Sequence, residues 1–170
     1  MSKYTKAVLF ACFFFFVSQT CAHAQTDEVV QISEKYQSTV TRYTQHFGGK
    51  LSPAFVHAII YVESRGEPTA KNAHSSAQGL MQVTTGAFKH VQEAFPEEQF
   101  GNNLLDPEKN IKVGVAYLTL MMDTYGLRSY DALAVGFNKG PSRGVQYSKK
   151  PKKDTYAQAV RKMTRQFNEL

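Results

Sequence analysis

Twice in this chain a residue that favours helix N-termini stands directly before a proline, at Ser52–Pro53 and at Asp106–Pro107. Both pairs read as helix starts. The capping side chain can accept from an unpaired N–H of the first turn, and proline at the first helical position has no N–H to leave unsatisfied. Behind each pair apolar residues return at three- and four-residue steps: Val56, Ile59 and Ile60 in one, Ile111, Val115, Leu118, Met122 and Tyr125 in the other. That period buries one face of a helix and fits no strand. Gly126 ends the second helix, and Gly66, followed closely by Pro68, ends the first. The same period places Val29, Ile32, Tyr36, Tyr43 and Phe47 on one face of an N-terminal helix within residues 25–50, stopped at Gly48 and Gly49. Ser129 to Asn138 predicts a shorter helix closed by Gly140 and Pro141, and Asp154 opens a last one that turns Tyr156, Val160, Met163 and Phe167 inward. Only Glu67 to Val83 lacks a helical period, leaving room for a small hairpin or an irregular cleft wall. The fold class expected is therefore mainly α, or α+β with at most a small hairpin, in one domain over residues 25–170. At 42% hydrophobic residues that domain can build its own core.

The first 24 residues follow another logic. Lys3 and Lys6 precede the apolar run Ala7 to Val17, and Ala22-His23-Ala24 offers small residues for a signal peptidase, so residues 1–24 read as an export signal peptide. The run is shorter than the roughly eighteen residues that a membrane span needs, so no stable membrane anchor is expected. Cleavage removes Cys12 and Cys21, both cysteines of the chain, and the mature protein is expected to rely on its core without a disulfide, in the periplasm or outside the cell.

One residue breaks the apolar pattern. Glu63 stands on the face of Val56, Ile59 and Ile60, where periodicity asks for an apolar side chain, and in the last turn before Gly66. Burial and the negative end of the helix dipole both oppose its ionisation, so it could serve as a proton donor near neutral pH. Pairing with Arg65, or rotation to the rim of the helix, is the competing reading of the same position.

Four blocks in order bear on that choice: Glu63-Ser64, "AQGLMQVTTGAF" from Ala77, "LLDPEKNIKVGVAYL" from Leu104 and "GFNKGP" from Gly136. Together they resemble the soluble lytic transglycosylase family, whose catalytic domains have a goose-type, lysozyme-like fold. The resemblance covers essentially all of residues 25–170. It implies cleavage of the β-1,4 bond between N-acetylmuramic acid and N-acetylglucosamine in peptidoglycan, with Glu63 as the single catalytic acid and then base. The product is a 1,6-anhydro sugar, and no second carboxylate is needed, unlike the pair in most glycosidases. Gly79, Met81 and Gln82 fall on the family's groove-lining block, with Gly79 expected to let the backbone approach the ligand; Asn138 and Tyr156 match residues of its later blocks. Phe137 stands where the family has tyrosine, so a hydroxyl expected beside the glutamate is missing. Lys139 replaces a small residue. The loop from Glu63 to Gly79 is one residue longer than usual, which puts the family's substrate-contacting serine at Asn72 or Ala73. A hydrolytic muramidase on the same fold, and a weakened peptidoglycan-binding or scaffold protein, remain the alternatives.

Other chemistries lack candidates. His46, His57, His74 and His90 show no metal-ligand spacing, and no cofactor motif is present. Between Asp131 and Asp154 lie six bases, Lys139, Arg143, Lys149, Lys150, Lys152 and Lys153, with no acid. Such a run ordinarily forms a solvated loop, and without interleaved aromatic residues it does not suit nucleic acid. The partner expected is the peptidoglycan glycan strand, met by a monomer. The small single domain leans toward a specialised enzyme that opens the wall for a secretion, conjugation or pilus apparatus.

Overall fold

A computed structural model of the chain describes the backbone of residues 3–170 and the side chains of residues 24–170; the side chains of the signal peptide expected at 1–24 thus lie, but for Ala24, outside what is described. Among the described residues the chain forms helices and no strand: α1 (Lys3–His46), α2 (Pro53–Ser64), α3 (Thr85–Ala94), α4 (Pro107–Tyr125), α5 (Tyr130–Lys139), α6 (Pro141–Lys149) and α7 (Thr155–Asn168). The hairpin allowed for at 67–83 is reduced to two isolated bridges, Lys71 to Gln78 and Gln78 to Val83. Two helices went unassigned in the sequence. Thr84 starts α3 by accepting from the Ala87 N–H, and α6 occupies the first half of the basic run that read as loop.

Two helices form the centre. Every residue of α2 from Ala54 to Tyr61 is buried, and so is almost all of α4 between Asn110 and Met122. Around α2 lie α1 and α7, while α4 is flanked by α1, α3 and α5. The expected inward faces hold: Val29, Ile32 and Tyr36 of α1 and Val160, Met163 and Phe167 of α7 all join the one hydrophobic core. Burying such a side chain stabilises by roughly 1.5–3 kcal/mol, so this core supplies most of what holds the helices together.

The helix ends differ in detail from the pattern. Asp106 caps α4 as expected, accepting from the Glu108 and Lys109 N–H groups, and Gly126 closes it in the left-handed conformation. At Ser52 the position is right but the side chain makes no cap bond; its backbone N–H instead donates to Tyr130 Oη at 3.0 Å. The C-cap of α2 is Arg65, at φ 54°, and not Gly66. Gly66 follows at φ 77°, and its carbonyl accepts from Tyr36 Oη of α1.

One polar side chain organises the irregular segment. Asn110, fully buried on the first turn of α4, accepts from the Met81 N–H at 2.7 Å and donates to the carbonyls of Gln78 at 2.9 Å and Leu104 at 2.7 Å. A single carboxamide thereby engages three backbone groups, two of which, the Met81 N–H and the Leu104 carbonyl, would otherwise be buried unpaired, while the Gln78 carbonyl also accepts from the Val83 N–H. Leaving each unpaired costs on the order of 1–3 kcal/mol. Asn110→Ala is therefore expected to lower the unfolding free energy by about 3 kcal/mol or more, read as a shift of the urea midpoint at unchanged slope.

His57 is the other buried polar group of note. It is 1% exposed, stacks on Phe167 of α7 at 5.3 Å and has Nε2 3.0 Å from Gln37 Oε1 of α1, while Nδ1 has no partner among the described residues. Burial pushes its pKa down from 6.5 to about 4. Because the folded value is the lower one, the unfolded chain binds the extra proton, and stability falls as pH drops below 6.5 until the folded value is reached. The expected loss is roughly 3 kcal/mol across that window. Urea unfolding at stepped pH checks it, and His57→Leu should remove this part of the slope.

Candidate active site

Glu63 projects from the last turn of α2, the turn that periodicity assigned to it. Its helix neighbours on the core face, Val56, Ile59 and Ile60, are fully buried, and the carboxyl group itself is half-buried. Arg65 does not pair with it. That guanidinium lies over the Tyr61 ring and pairs with Glu28 of α1 at 3.0 Å. Among the described residues the side-chain partner of Glu63 is Tyr156, whose hydroxyl donates to Glu63 Oε1 at 2.5 Å. Tyr156 stands on the first turn of α7, set by Asp154, which caps that helix through the Ala157 N–H.

Two opposing effects act on the carboxyl group. Burial raises its pKa above the ordinary 4.5, and the hydrogen bond from Tyr156, by favouring the anion, pulls it partway back. Burial is the larger. The phenol is pushed up in turn, first by its own burial and then by the neighbouring Glu63 charge, so Tyr156 stays a donor throughout the neutral range. Glu63 thus receives a hydroxyl from Tyr156 of α7, while Phe137 carries none and packs against Tyr117. The acid closest in sequence, Glu67, is turned away: it accepts from the Thr69 N–H and hydroxyl in an exposed loop, which holds its pKa below the usual value.

The wall of the site is tied to the helix that carries the acid. Ser64, the residue after Glu63, donates from Oγ to the Leu80 carbonyl at 2.7 Å. Gln82, two residues beyond Leu80, adopts φ 45° and donates from Nε2 to the carbonyls of Ala70 and Gly79. Gln82, Phe137 and Asn138 line one cavity of about 160 Å³ together with Thr84, Ala87 and Tyr117. The three residues from two distant blocks are thereby brought together. Phe137 meets Tyr117 edge-on at 5.9 Å.

The remaining expected contacts are placed differently. Met81 is fully buried and its sulfur packs against Gly114 of α4, where a Cβ would come within 2.3 Å, so its side chain belongs to the core. Gly79, at φ 77°, faces Asn110 and the Leu104 carbonyl; a Cβ would sit 2.2 Å from Asn110 Nδ2, so the glycine serves internal packing and not close approach of a ligand. Asn72 and Ala73 are exposed, and Asn72 spends its Oδ1 on the His74 N–H. Periodicity missed Ser64, Asn110 and Tyr117. Tyr117 could have been singled out as a tyrosine standing beside, and not on, the stripe of Ile111, Val115, Leu118 and Met122.

A helical domain with one half-buried acid at the end of its most buried helix is the class that fold and site define. Residues 44–160, more than half of the chain, match the family model described as the transglycosylase SLT domain, and the chain belongs to that family. It is 34% identical over 110 residues to a soluble lytic murein transglycosylase of Salmonella typhimurium, an alignment that covers 64% of this chain and 16% of that protein. An endo-type membrane-bound lytic murein transglycosylase A of Cronobacter sakazakii is 39% identical over 74 residues, covering 42% of this chain and 36% of its own. The chain thus spans well under half the length of these relatives. The fold is that of the 70 kDa soluble lytic transglycosylase of Escherichia coli, with a TM-score of 0.65 at 22% identity over 81% of this chain and 25% of that one. The lytic transglycosylase Slt of Pseudomonas aeruginosa matches with a TM-score of 0.58 at 24% identity, over 79% and 21% of the two chains.

The balance between burial and hydrogen bonding can be tested directly. Tyr156→Phe deletes the interaction that favours the anion, so the pKa of Glu63 should rise further. Any activity that needs the protonated acid should then hold to higher pH before it declines, even if its maximum falls. Matched pH–rate profiles of the two proteins measure the displacement of the alkaline limb.

Proposed function

We propose that the chain is a peptidoglycan lytic transglycosylase that cleaves the bond between N-acetylmuramic acid and N-acetylglucosamine and leaves a 1,6-anhydro end. The observation that carries the reading is the half-buried Glu63, raised in pKa by burial, with a neutral tyrosine as its side-chain partner. The membership in the SLT family supports it. Glu63 in its protonated form gives its proton to the glycosidic oxygen as the bond from C1 to that oxygen breaks. The resulting carboxylate then takes the proton of the C6 hydroxyl of the same muramyl residue, and O6 closes on C1. The acid is restored, and no water enters. Tyr156 holds the carboxyl in position through both transfers and steadies the anion between them.

Gln82 and Asn138 are proposed to bind the sugar beside the acid, with Phe137 and Tyr117 as an apolar floor that needs no hydroxyl of its own. The expected signal peptide delivers the enzyme to the periplasm or beyond, where the wall lies. No described helix is long and apolar enough to cross a membrane. Service to a secretion, conjugation or pilus apparatus belongs to the same proposal.

Glu63→Gln tests the mechanism. The amide keeps the shape and can still accept from Tyr156, but it cannot transfer the proton, and loss of a general acid typically lowers the rate by about 10²–10⁴-fold. Release of muropeptides should fall by that factor. The variant should also be more stable than the parent at pH 7, because a group with a raised folded pKa loses stability as pH rises above its unfolded value of 4.5, a loss that is complete once the raised folded value is passed. Mass spectrometry of the parent's products should show fragments lighter by one water than those of a hydrolase. Fragments carrying only reducing ends would make the enzyme a hydrolase.

A further inference from the structure

The six bases that read as a solvated run surround a second, larger cavity. Lys139, Arg143, Lys149, Lys150, Lys152 and Lys153 all line a space of about 720 Å³ at the junction of α5, α6 and the loop before α7. That volume is in the range of roughly 300–1,000 Å³ seen for pockets that hold extended small ligands. Its one acid, Asp154, is already engaged by Lys139 and by the cap of α7. Among the described residues the other five cations form no ion pair, and Arg143 has only the neutral Gln146 Oε1 as a partner, at 3.1 Å. Five like charges around one space repel one another, a cost that a bound polyanion would remove. Their backbones are held, those of Arg143 and Lys149 by α6 and the rest by a short loop stiffened at Pro151, while the side chains are exposed. Val135 and Tyr147 give the cavity an apolar side.

Its position links it to the candidate active site. Asn138 lines the smaller cavity and the next residue, Lys139, lines this one. Asp154 lines it too, two residues before the Tyr156 that bonds Glu63. We infer that this cavity binds the carboxylate-bearing peptide arms of the glycan strand while the sugars lie at Glu63. The inference rests on the peptidoglycan reading above. In such a strand the sugars carry no net charge, and the peptide carboxylates are the anionic groups that a cationic pocket beside the glycan can meet. The make-up of the pocket agrees, because lysines act as mobile point charges suited to spaced carboxylates and lack the planar fork that reads one oxyanion in a fixed geometry.

The test compares the parent with a variant in which Lys149, Lys150, Lys152 and Lys153 are all changed to Gln, leaving Lys139 to its bond with Asp154. Three probes are titrated: soluble glycan chains with their peptides, the same chains stripped of peptide by an amidase and with the lactyl carboxylate that the cut frees capped as its methylamide, and inorganic polyphosphate. The parent should bind the peptide-bearing chains more tightly than the stripped ones, and the variant should lose about tenfold in affinity for the former alone. The corresponding Lys→Arg variant should retain that affinity. Equal binding of peptide-bearing chains by the parent and the Gln variant overturns the inference, as does a preference of the parent for polyphosphate over them. Cleavage of the stripped chains is followed separately, and the Gln variant should match the parent there. If neither protein cleaves any chain while the binding difference holds, the transglycosylase reading fails and the assignment of the cavity stands.

Discussion

The carboxamide of Asn110 is the constraint on which the arrangement of the site depends. The segment from Glu67 to Val83 forms neither helix nor strand; its own backbone bonds, such as that from the Gly79 N–H to the Ala70 carbonyl, close turns but leave the buried Met81 N–H to be met from elsewhere. Asn110 fastens that segment to α4 at Gln78 and Met81, and Gly79 permits it by leaving room where a Cβ would collide with the amide. Gly114 then makes space on α4 for the Met81 side chain. With the segment fixed from behind, Ser64 fastens it from the front, through the Leu80 carbonyl, to the helix turn that carries Glu63. Acid and wall are held in register by two polar side chains, each adjoining residues of the hydrophobic core.

The same packing determines the chemistry. The core faces of α2 and α7 bring Glu63 and Tyr156, which are 93 residues apart in the chain, into contact. A fully buried carboxyl with no donor would be locked as the neutral acid and could give a proton but not settle as an anion. An exposed one would ionise too readily to give a proton. Partial burial set against one phenolic donor lies between these limits, with burial the stronger influence. Tyr156 is suited to the part because its own pKa is pushed upward, so it donates without competing for the charge.

Much of this was legible in the sequence, and the exceptions have physical reasons. The starts of α2 and α4 were visible at Pro53 and Pro107 because their local chemistry agrees with their tertiary setting. Glu63 was visible because a carboxyl on an apolar stripe violates the pattern, and the role proposed for it followed from the resemblance of its neighbours. The helix α6 was hidden: nine residues long, with only Val145 and Tyr147 as larger apolar side chains, it has no period to read. Met81 was assigned to the groove and lies in the core, since a motif fixes which residues are close to a ligand but not which way each side chain points. Asn110 carried no signal at all. A polar residue next to Ile111 looks like the start of the solvated face, and only the fold reveals three backbone groups converging on it.

The central claim is that burial at the end of α2 keeps Glu63 protonated above the range of ordinary carboxylates despite its bond to Tyr156. The most direct measurement is an NMR titration of the Glu63 side-chain carboxyl carbon in the folded protein, assigned by comparison with Glu63→Gln. The account predicts a midpoint above the ordinary value of 4.5, moving higher still in Tyr156→Phe. A midpoint at or below 4.5 would show that the hydrogen bond outweighs burial, and Glu63 could then not be the proton donor described.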